Sequence, residues 1–318
     1  MVALGILAYN EEKNILTIIK ENYKKFDQII VVEDSSTDST LKILLDAKMI
    51  YNNLVILKNE VNYGAGRSFE ILINYFLNSE NSYLVKIDGD NQFDKSDIEK
   101  IKDLIVNKKL DFIKCNRFWN GGIIGDIPKI RYFGNLLASL LLKFASGNPF
   151  LTDPLNGLMA FSKKSLKDFK LTKRFYKYGY PFFVCLFFSQ KLYYENLRFM
   201  IFNNKVTYFE NKKNIRPWAM FFRLFKESLK RYFLRINYKI RLSDLQTSFL
   251  LDLAAITFMI FQFFSLFKLF SIRYFYSTGS QTIWFTIFLL FFISWVVLLS
   301  KSFEIEKKYF EKYLFIDD

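Results

Sequence analysis

Three oxygen-bearing side chains follow directly on one apolar segment. Residues 83–87 have the pattern of a buried strand, and Asp88, Asp90 and Gln92 come immediately after it. Gly89 lies between the two acids, so both carboxylates can turn toward one point. These oxygens suit a hard divalent cation that keeps open positions for substrate phosphates. The segment therefore predicts a metal and phosphate site, although an acidic loop that simply faces solvent has the same composition.

Polar residues also follow the first two predicted strands, in AYNEE (residues 8–12) and VVEDSSTDST (residues 31–40). A carboxylate at a strand end can accept hydrogen bonds from base N–H groups or ribose hydroxyls, and Tyr9 can stack on a base. The same loops fit helix capping, because Asn10 and Asp38 lie at capping positions. The two interpretations are compatible.

The elements that would carry these loops alternate between strand and helix over residues 1–115. Apolar runs such as VALGILA and QIIVVE are separated by stretches of helical spacing such as EEKNILTIIKENY. This pattern predicts an α/β domain with a doubly wound, mostly parallel sheet. Ligands bind such sheets beyond the carboxyl ends of the strands, so we expect the loops to converge on one crevice. Residues 116–215 are less regular and are predicted to form the acceptor side of the same domain.

The composition excludes several kinds of site. The 318 residues contain no histidine, which removes Ser-His-Asp triads and histidine zinc sites. A metal must then be held by oxygen, which favours Mg²⁺ or Mn²⁺. Two cysteines far apart in sequence, Cys115 and Cys185, favour a reducing compartment. The net charge of +14 indicates phosphorylated ligands, an anionic membrane surface or nucleic acid. Nucleic acid is disfavoured because the positive charge concentrates near the apolar C-terminal segments.

A basic amphipathic helix is predicted before these apolar segments. Residues 212–241 contain ten Lys or Arg and one acid, Glu227. Six apolar residues at helical spacing share one face: Trp218, Phe221, Phe222, Phe225, Leu229 and Tyr232. Arg223, Lys226 and Lys230 take the other face. The pattern is typical of a helix at a membrane interface, the alternative being a surface helix packed on the domain.

Two apolar segments then predict a transmembrane hairpin. Residues 283–299 carry no charge, and residues 247–270 carry Asp252 and Lys268 only near their ends. A buried helical hairpin of a soluble protein is the alternative. Basic residues flank both outer ends of the hairpin, whereas the connecting loop has one Arg, which places both termini and the large domain in the cytoplasm.

The predicted organisation therefore has four parts. We expect a catalytic domain over 1–211, basic interfacial helices over 212–243, two transmembrane helices within 244–302 (about 247–270 and 281–300), and a cytoplasmic tail over 303–318. The protein is predicted to reside in the cell membrane as a multi-pass protein.

Several motifs in order resemble a known family. AYNEE, VVEDSSTDST, NYGAGR (62–67) and KIDGDNQFD (86–94) are similar to those of family 2 glycosyltransferases with the GT-A fold. NRFWNGG (116–122), then Arg131 and Asn135, then TDPLNGLMAFS (152–162) resemble the polyprenyl-phosphate glycosyltransferases of the dolichol-phosphate mannosyltransferase kind. The resemblance covers roughly residues 2–210.

The resemblance assigns roles to residues. It implies that the following bind the nucleotide: Ala8, Tyr9, Glu11, Glu33, Asp34 and Asp88. It implies that Asp88, Asp90 and Gln92 hold Mg²⁺ or Mn²⁺ and the diphosphate. It implies that Arg117, Arg131 and Asn135 bind the acceptor phosphate. The catalytic residues it implies are Asp90, Asp153, Arg117 and Arg131.

The sequence departs from the family pattern at two places. The usual Asp pair of the second loop is here Glu33 and Asp34, followed by Ser35 instead of Gly. Near the domain end, an Arg-x-x-Gly-x-Ser-Lys element is replaced by Lys212, Lys213 and Arg216.

The resemblance implies transfer of a sugar from a UDP- or GDP-sugar to a polyprenyl (dolichyl or undecaprenyl) phosphate, with inversion. A phosphate oxygen is already anionic at neutral pH, so the acceptor needs no strong base, which agrees with the absence of histidine. Two alternatives remain: a membrane-tethered transferase with a glycan or other acceptor, and a non-catalytic nucleotide- or lipid-binding membrane protein. A homo-oligomer is compatible with either.

Overall fold

The structure is a computed structural model that describes residues 1–119, 121–125, 127–208, 217–272 and 278–314. An α/β domain is followed by one long helix and then by two apolar helices. Three basic residues of the predicted interfacial segment lie outside the described residues: Lys212, Lys213 and Arg216.

The strands of the described residues form two sheets. Their bounds are β1 Val2–Ala8, β2 Gln28–Glu33, β3 Leu54–Lys58, β4 Tyr83–Asp88, β5 Phe112–Asn116, β6 Ile123–Ile124, β7 Met159–Ser162, β8 Phe199–Asn203 and β9 Val206–Thr207. The main sheet has the order β3-β2-β1-β4-β7-β5-β8, and β6 pairs with β9 separately. β7 is antiparallel to both β4 and β5, and the other neighbours in the main sheet are parallel.

The helices follow the predicted alternation. Their bounds are α1 Ile15–Asn22, α2 Thr40–Lys48, α3 Ala65–Asn78, α4 Lys95–Asn107, α5 Lys129–Ser146, α6 Tyr180–Lys191, α7 Pro217–Arg241, α8 Gln246–Ile272 and α9 Thr278–Glu311. Short 3₁₀ turns at Lys173–Phe175 and Ser243–Leu245 precede α6 and α8.

The sheet is buried on both faces, which explains its continuous apolar strands. All seven residues of β1 are buried. One core lies between the sheet and α3, α5 and α6, and includes Phe69, Leu142 and Phe188. The other lies under α1, α2 and α4 and includes Ile19 and Ile101. The predicted fold class is confirmed: a mostly parallel α/β sheet typical of the GT-A fold, followed by two apolar C-terminal helices.

The basic helix α7 is one helix of 25 residues. The face that packs on the domain carries Leu224 and Tyr232, and the Tyr232 ring stacks on Phe144 at 4.5 Å between centroids. Its exposed apolar residues are Phe222, Phe225, Leu229, Phe233 and Ile240. Tyr232, predicted on the outward apolar face, therefore turns inward.

The helices α8 and α9 are each long and apolar enough to cross a membrane. They pack on each other, for example through Phe261 and Phe291. Only 17% of the most apolar stretch of α8 and none of that of α9 is buried. This exposure disfavours the alternative of a buried hairpin in a soluble core.

The segment predicted as a tail continues α9 as far as Glu311 and packs on the domain. Tyr309 and Phe310 join the core shared by α3, α5 and α6. Leu314 forms a parallel bridge with Phe199 of β8. The C-terminal end of α9 and the residues just after it therefore pack against the α/β domain.

Candidate active site

The loops after β1 and β2 form one wall. The Asn10 side-chain oxygen accepts from the Thr37 backbone N–H at 2.8 Å, and the Asn10 N–H donates to the Ser36 hydroxyl at 3.0 Å. Asp38 accepts from the N–H of Thr40, the first residue of α2, as the capping interpretation predicts. Asn10 caps no helix, because α1 begins only at Ile15, so it joins the two loops instead.

The two acids at the end of β2 are buried. Asp34 accepts hydrogen bonds from Asn59 Nδ2 at 2.7 Å, Tyr63 N at 3.0 Å and Gly64 N at 2.7 Å. Its carboxylate thus orders the loop that precedes α3. Glu33 accepts from Ser36 N at 2.5 Å through Oε1, whereas its buried Oε2 has no hydrogen-bond partner among the described residues. Glu33 is therefore the acid of this pair that keeps one buried oxygen without a hydrogen-bond partner among the described residues.

Three further predicted nucleotide residues lie on the first loop. Tyr9 is exposed and directly follows the carboxyl end of β1. The Ala8 side chain is buried, and its carbonyl accepts from Asp34 N at 2.9 Å. Glu11 accepts from Asn14 Nδ2 at 3.0 Å. Of these three, Tyr9 presents its side chain to a ligand most openly.

The glycines of NYGAGR serve packing. The Gly66 N–H donates to the Tyr176 carbonyl at 2.6 Å, and a Cβ at this position would overlap the Phe175 carbonyl. Close approach to the backbone of residues 175–177, just before α6, explains these glycines.

The end of β4 places Asp88 beside a buried lysine. Lys86 Nζ lies 2.5 Å from Asp88 Oδ1, and it also donates to the Gly157 carbonyl at 3.2 Å and to the Tyr180 hydroxyl. A Cβ on Gly157 would overlap Asp88 Oδ2, so any other residue there would require the Asp88 carboxylate to move. Burial lowers the pKa of Lys86, opposed by the charges of Asp88 and Asp90. Burial also raises the pKa of Tyr180 well above its usual value, and the charge of Asp88 adds to that shift.

The other residues of this loop divide between a ligand role and a structural role. Asp90 and Gln92 are half-buried, and the Gln92 carbonyl accepts from Thr207 N at 2.9 Å. Asp94 caps α4 by accepting from Ser96 N at 2.8 Å. The third acid of the loop is therefore a helix cap.

The donor set fits a divalent cation whose coordination a substrate completes. Within the described ranges, no group of three or more His, Cys, Asp or Glu could hold a metal alone. Two carboxylates and an amide oxygen are nevertheless a sufficient set for Mg²⁺ or Mn²⁺ when phosphate oxygens supply the remaining ligands. One Asp88 oxygen already contacts Lys86, so only part of the Asp88 carboxylate remains for a cation.

Arg117 and Asp153 form a closely bonded pair. Arg117 Nη2 lies 3.0 Å from Asp153 Oδ1, its Nε lies 3.0 Å from Oδ2, and its backbone N–H donates to Oδ2 at 3.0 Å. Arg117 Nη1 donates to the Tyr208 hydroxyl at 2.8 Å. Burial opposes the charge of Arg117, but Asp153 outweighs it and the Arg117 pKa is raised. Asp153 therefore directs a guanidinium group instead of standing as a free base.

Arg131 and Asn135 lie about one turn apart on α5. Burial raises the pKa of Tyr208, and the positive charges of both Arg117 and Arg131 oppose that shift, so both act on one hydroxyl. Asn135 is buried, and its Oδ1 has no hydrogen-bond partner among the described residues. Besides Lys129 at its first position, α5 exposes a series of large apolar residues: Ile130, Tyr132, Phe133, Leu136, Leu137 and Leu140.

Comparison with known proteins identifies the family. The model of the family described as "Glycosyl transferase family 2" matches residues 4–189. This chain belongs to glycosyltransferase family 2. The predicted family and the enzyme class, a glycosyltransferase, are confirmed.

Two of the curated relatives that this family 2 glycosyltransferase matches are similar to it over about half of its length. One is the UDP-N-acetylglucosamine–dolichyl-phosphate N-acetylglucosaminyltransferase of Methanococcus voltae, 30% identical over 181 residues, which are 52% of this chain and 71% of that protein. The other is an uncharacterised protein of Methanocaldococcus jannaschii, 32% identical over 177 residues, 54% of this chain and 75% of that protein.

Among solved structures, this glycosyltransferase is similar to S. aureus TarS residues 1–349 in complex with UDP-GlcNAc. The TM-score is 0.48 at 16% identity, with 98% of this chain and 91% of that chain covered.

Sequence reasoning did not single out three polar residues of this candidate site: Lys86, Tyr208 and Lys114, whose Nζ donates to the Asn156 carbonyl at 2.9 Å. A signal existed for the lysines, because each interrupts an otherwise apolar strand. Tyr208 had no such signal, since its hydroxyl meets Arg117 across 91 residues of sequence.

Proposed function

We propose that the protein transfers a sugar from a nucleotide sugar to a polyprenyl phosphate at a membrane surface. The observation that carries the proposal is the character of α5. Its residue Arg131 and the nearby Arg117 both act on the Tyr208 hydroxyl, Asn135 lies one turn further along the helix, and its exposed residues after Lys129 are mostly apolar. Cations for a phosphate and a surface for a hydrocarbon chain thus occur on one helix, as a lipid phosphate requires.

The placement of the protein at a membrane follows from the exposed apolar surfaces of α7, α8 and α9. The helices α8 and α9 span the bilayer in this proposal, and their length and exposed apolar surface support it. Exposed Phe222, Phe225 and Phe233 of α7 lie at headgroup depth, with Lys226 and Lys230 available to lipid phosphates. The domain faces the cytoplasm, as the distribution of basic residues favours.

The donor side is proposed to bind the nucleotide between Tyr9 and Glu33, with the diphosphate at Asp88, Asp90 and Gln92. Glu33 Oε2, a buried oxygen without a hydrogen-bond partner among the described residues, supports a role as acceptor for a base or ribose donor. A divalent cation held there would neutralise negative charge on the leaving nucleoside diphosphate. The name of the Methanococcus voltae relative makes UDP-N-acetylglucosamine the first donor to test.

On the acceptor side, the arginines orient the phosphate. Arg117 is held by Asp153 and Tyr208, and Arg131 lies on α5. In this proposal the two cations bring the acceptor phosphate toward the negatively charged donor diphosphate. A phosphate monoester oxygen is anionic at neutral pH and attacks the anomeric carbon in line, with inversion. Asn135 is proposed to bind the same phosphate.

A glycan acceptor is the second candidate, and the Arg117–Asp153 pair disfavours it. A sugar hydroxyl needs a base to remove its proton. Both Asp153 oxygens already accept from Arg117, so this carboxylate is poorly placed for that task.

The proposal is tested with the full-length protein in detergent or vesicles. Labelled UDP-N-acetylglucosamine, a short polyprenyl phosphate and Mn²⁺ or Mg²⁺ are expected to give a labelled polyprenyl-phosphate sugar, and EDTA to prevent it. Asp90→Ala is expected to abolish transfer without loss of helical signal, whereas Asp46→Ala, an exposed acid on α2, leaves transfer unchanged. A GDP-sugar active in place of the UDP-sugar changes the donor only. Transfer to an alkyl glycoside but to no phosphate contradicts the proposal.

A further inference from the structure

Two lysines are fully buried beneath the candidate site. Lys86 of β4 and Lys114 of β5 are both 0% exposed. β7 lies between their strands, and both lysines are register partners of Met159. The two ammonium groups therefore reach the turn before β7 from opposite sides.

The lysines bind neighbouring carbonyl groups of that turn. Lys114 Nζ donates to the Asn156 carbonyl at 2.9 Å, and Lys86 Nζ donates to the Gly157 carbonyl at 3.2 Å. The turn over residues 153–157 begins with Asp153, which has a positive φ of 46° and holds Arg117. Two buried cations thus fix the backbone that places the acceptor arginine.

Lys86 also reaches the donor side. Its three contacts are Asp88 Oδ1, the Gly157 carbonyl and the Tyr180 hydroxyl, which match the three N–H bonds of an ammonium group. Asp88 Oδ2 lies against Gly157, where a Cβ would displace it. The loop that carries Asp88 and the turn over residues 153–157 therefore meet at Lys86 and Gly157.

Packing alone does not account for these residues. A lysine in a fully buried strand carries a desolvation cost that an aliphatic side chain avoids. The neighbouring residues Val85, Ile87 and Ile113 are buried and apolar, as this sheet otherwise requires. The lysines therefore occupy positions where stability favours another residue type.

We propose that Lys86 and Lys114 are positioning residues that fix the metal loop at Asp88 and the acceptor turn 153–157 relative to each other. This inference rests on the proposed function for the roles of the two loops. Because the Lys86 ammonium lies beside Asp88, it also weakens the binding of a free cation there, so the cation binds together with the diphosphate of the donor.

The first test measures Mn²⁺ binding to the full-length protein without nucleotide, by electron paramagnetic resonance of free Mn²⁺. Lys86→Met removes a positive charge next to Asp88, so Mn²⁺ is expected to bind about tenfold more tightly while kcat falls. Lys86→Gln keeps a donor toward Gly157 but no charge, and it is expected to shift binding in the same direction. Loss of structure alone lowers both quantities, so opposite signs identify the positioning role.

The second test measures kinetics of Lys114→Met. We expect unchanged Mn²⁺ binding, unchanged KM for the nucleotide sugar and a kcat reduced about 10- to 100-fold, because the turn that places Arg117 is released. Unchanged kcat overturns the role of Lys114.

Lys191→Met is the matched control. Lys191 is buried and also donates to two carbonyls, of Ser165 at 3.2 Å and of Lys167 at 3.1 Å, but it lies on α6 away from the site. It is expected to lower stability without changing metal binding or kcat.

The outcomes separate this inference from the proposed function. Mn²⁺ binding that is unchanged or weaker in both Lys86 variants overturns the inference while wild-type transfer still supports the function. A wild-type protein that neither transfers sugar nor binds Mn²⁺ with nucleotide contradicts the proposed function, and the inference with it.

Discussion

Lys239 of α7 and Asp252 of α8 form a fully buried ion pair, with 2.6 Å between Nζ and Oδ2. Glu306 of α9 lies 2.7 Å from the same Lys239 Nζ. Glu306 accepts from the Tyr193 hydroxyl of the α/β domain at 2.9 Å, and Arg235 of α7 donates to the Phe144 carbonyl of α5 at 2.8 Å. This buried charge cluster joins the amphipathic helix α7, the apolar helices α8 and α9, and the α/β domain. It therefore fixes the position of α5 relative to α8 and α9.

Asp252→Asn is expected to destabilise the protein strongly. The substitution leaves Lys239 and Arg235 buried with one acid, Glu306, in place of two. Breaking a buried pair from one side typically costs about 3–5 kcal/mol. Thermal unfolding of the purified protein in detergent measures the loss.

The exposed pair Lys312–Asp244, 2.7 Å apart, provides the control for Asp252. Asp244→Asn is expected to leave the unfolding temperature nearly unchanged, since exposed ion pairs contribute little. Equal unfolding temperatures for Asp252→Asn and Asp244→Asn would show that the buried cluster does not hold the helices to the domain.

The buried charge cluster marks a limit of prediction from sequence. The apolar lengths of α8 and α9 were visible, because span length is a local property. From the sequence, Asp252 was interpreted as a charge near the end of a transmembrane segment, and Glu306 fell within the predicted cytoplasmic tail. Their partner Lys239 is distant in sequence, and pairing of that kind depends on how the helices pack, which local periodicity does not encode.

The site shows the same division. Apolar runs followed by polar loops correctly predicted the sheet and the edge at which Asp88, Asp90 and the loops after β1 and β2 meet. The sequence pattern did not distinguish the roles of the two acids after β2. Asp34 accepts hydrogen bonds that order a loop, whereas Glu33 keeps a buried oxygen without a hydrogen-bond partner among the described residues. That difference depends on backbone N–H groups about 30 residues away at Tyr63 and Gly64.

Gly157→Ala is expected to reduce nucleotide-sugar binding sharply while the fold persists. The new Cβ would overlap Asp88 Oδ2, so Asp88 must move away from its place beside Lys86. Misplacing a ligand-binding group by about 1 Å can cost on the order of 100-fold in rate. Binding of the nucleotide is measured by calorimetry and the fold by circular dichroism.

Gly134→Ala on α5 is the control for Gly157, because nothing lies within 4 Å of its Cβ. Alanine favours a helix interior over glycine, so binding is expected to stay constant and stability to rise slightly. Normal nucleotide binding by Gly157→Ala would mean that the position of Asp88 is not important for the donor.

Phe133→Asp tests the apolar face of α5. Phe133 is 64% exposed, and in the proposed orientation it enters the headgroup region. Placing a charge there is expected to raise KM for a long-chain polyprenyl phosphate in vesicles by about tenfold or more, as burial of one aromatic side chain is worth about 2 kcal/mol. The KM for a short, water-soluble prenyl phosphate should not change.

Ile50→Asp makes the same change at an exposed apolar residue just beyond α2, 71% exposed and remote from α5. It is expected to leave both KM values unchanged. An equal effect of Phe133→Asp on long and short acceptors would contradict a membrane contact by α5.

The two arginines are expected to differ in a measurable way when each is removed. Arg131→Ala should raise KM for the acceptor without raising that for the donor, and should leave the unfolding temperature unchanged. Arg117→Ala should lower both activity and stability, because it leaves the fully buried Asp153 carboxylate without its partner, at a cost of about 3–5 kcal/mol. Adding Asp153→Asn to Arg117→Ala removes the buried charge, so the double variant should recover stability but not transfer. Recovery of transfer in that double variant would show that Arg117 serves only to neutralise Asp153 and that the acceptor phosphate binds elsewhere.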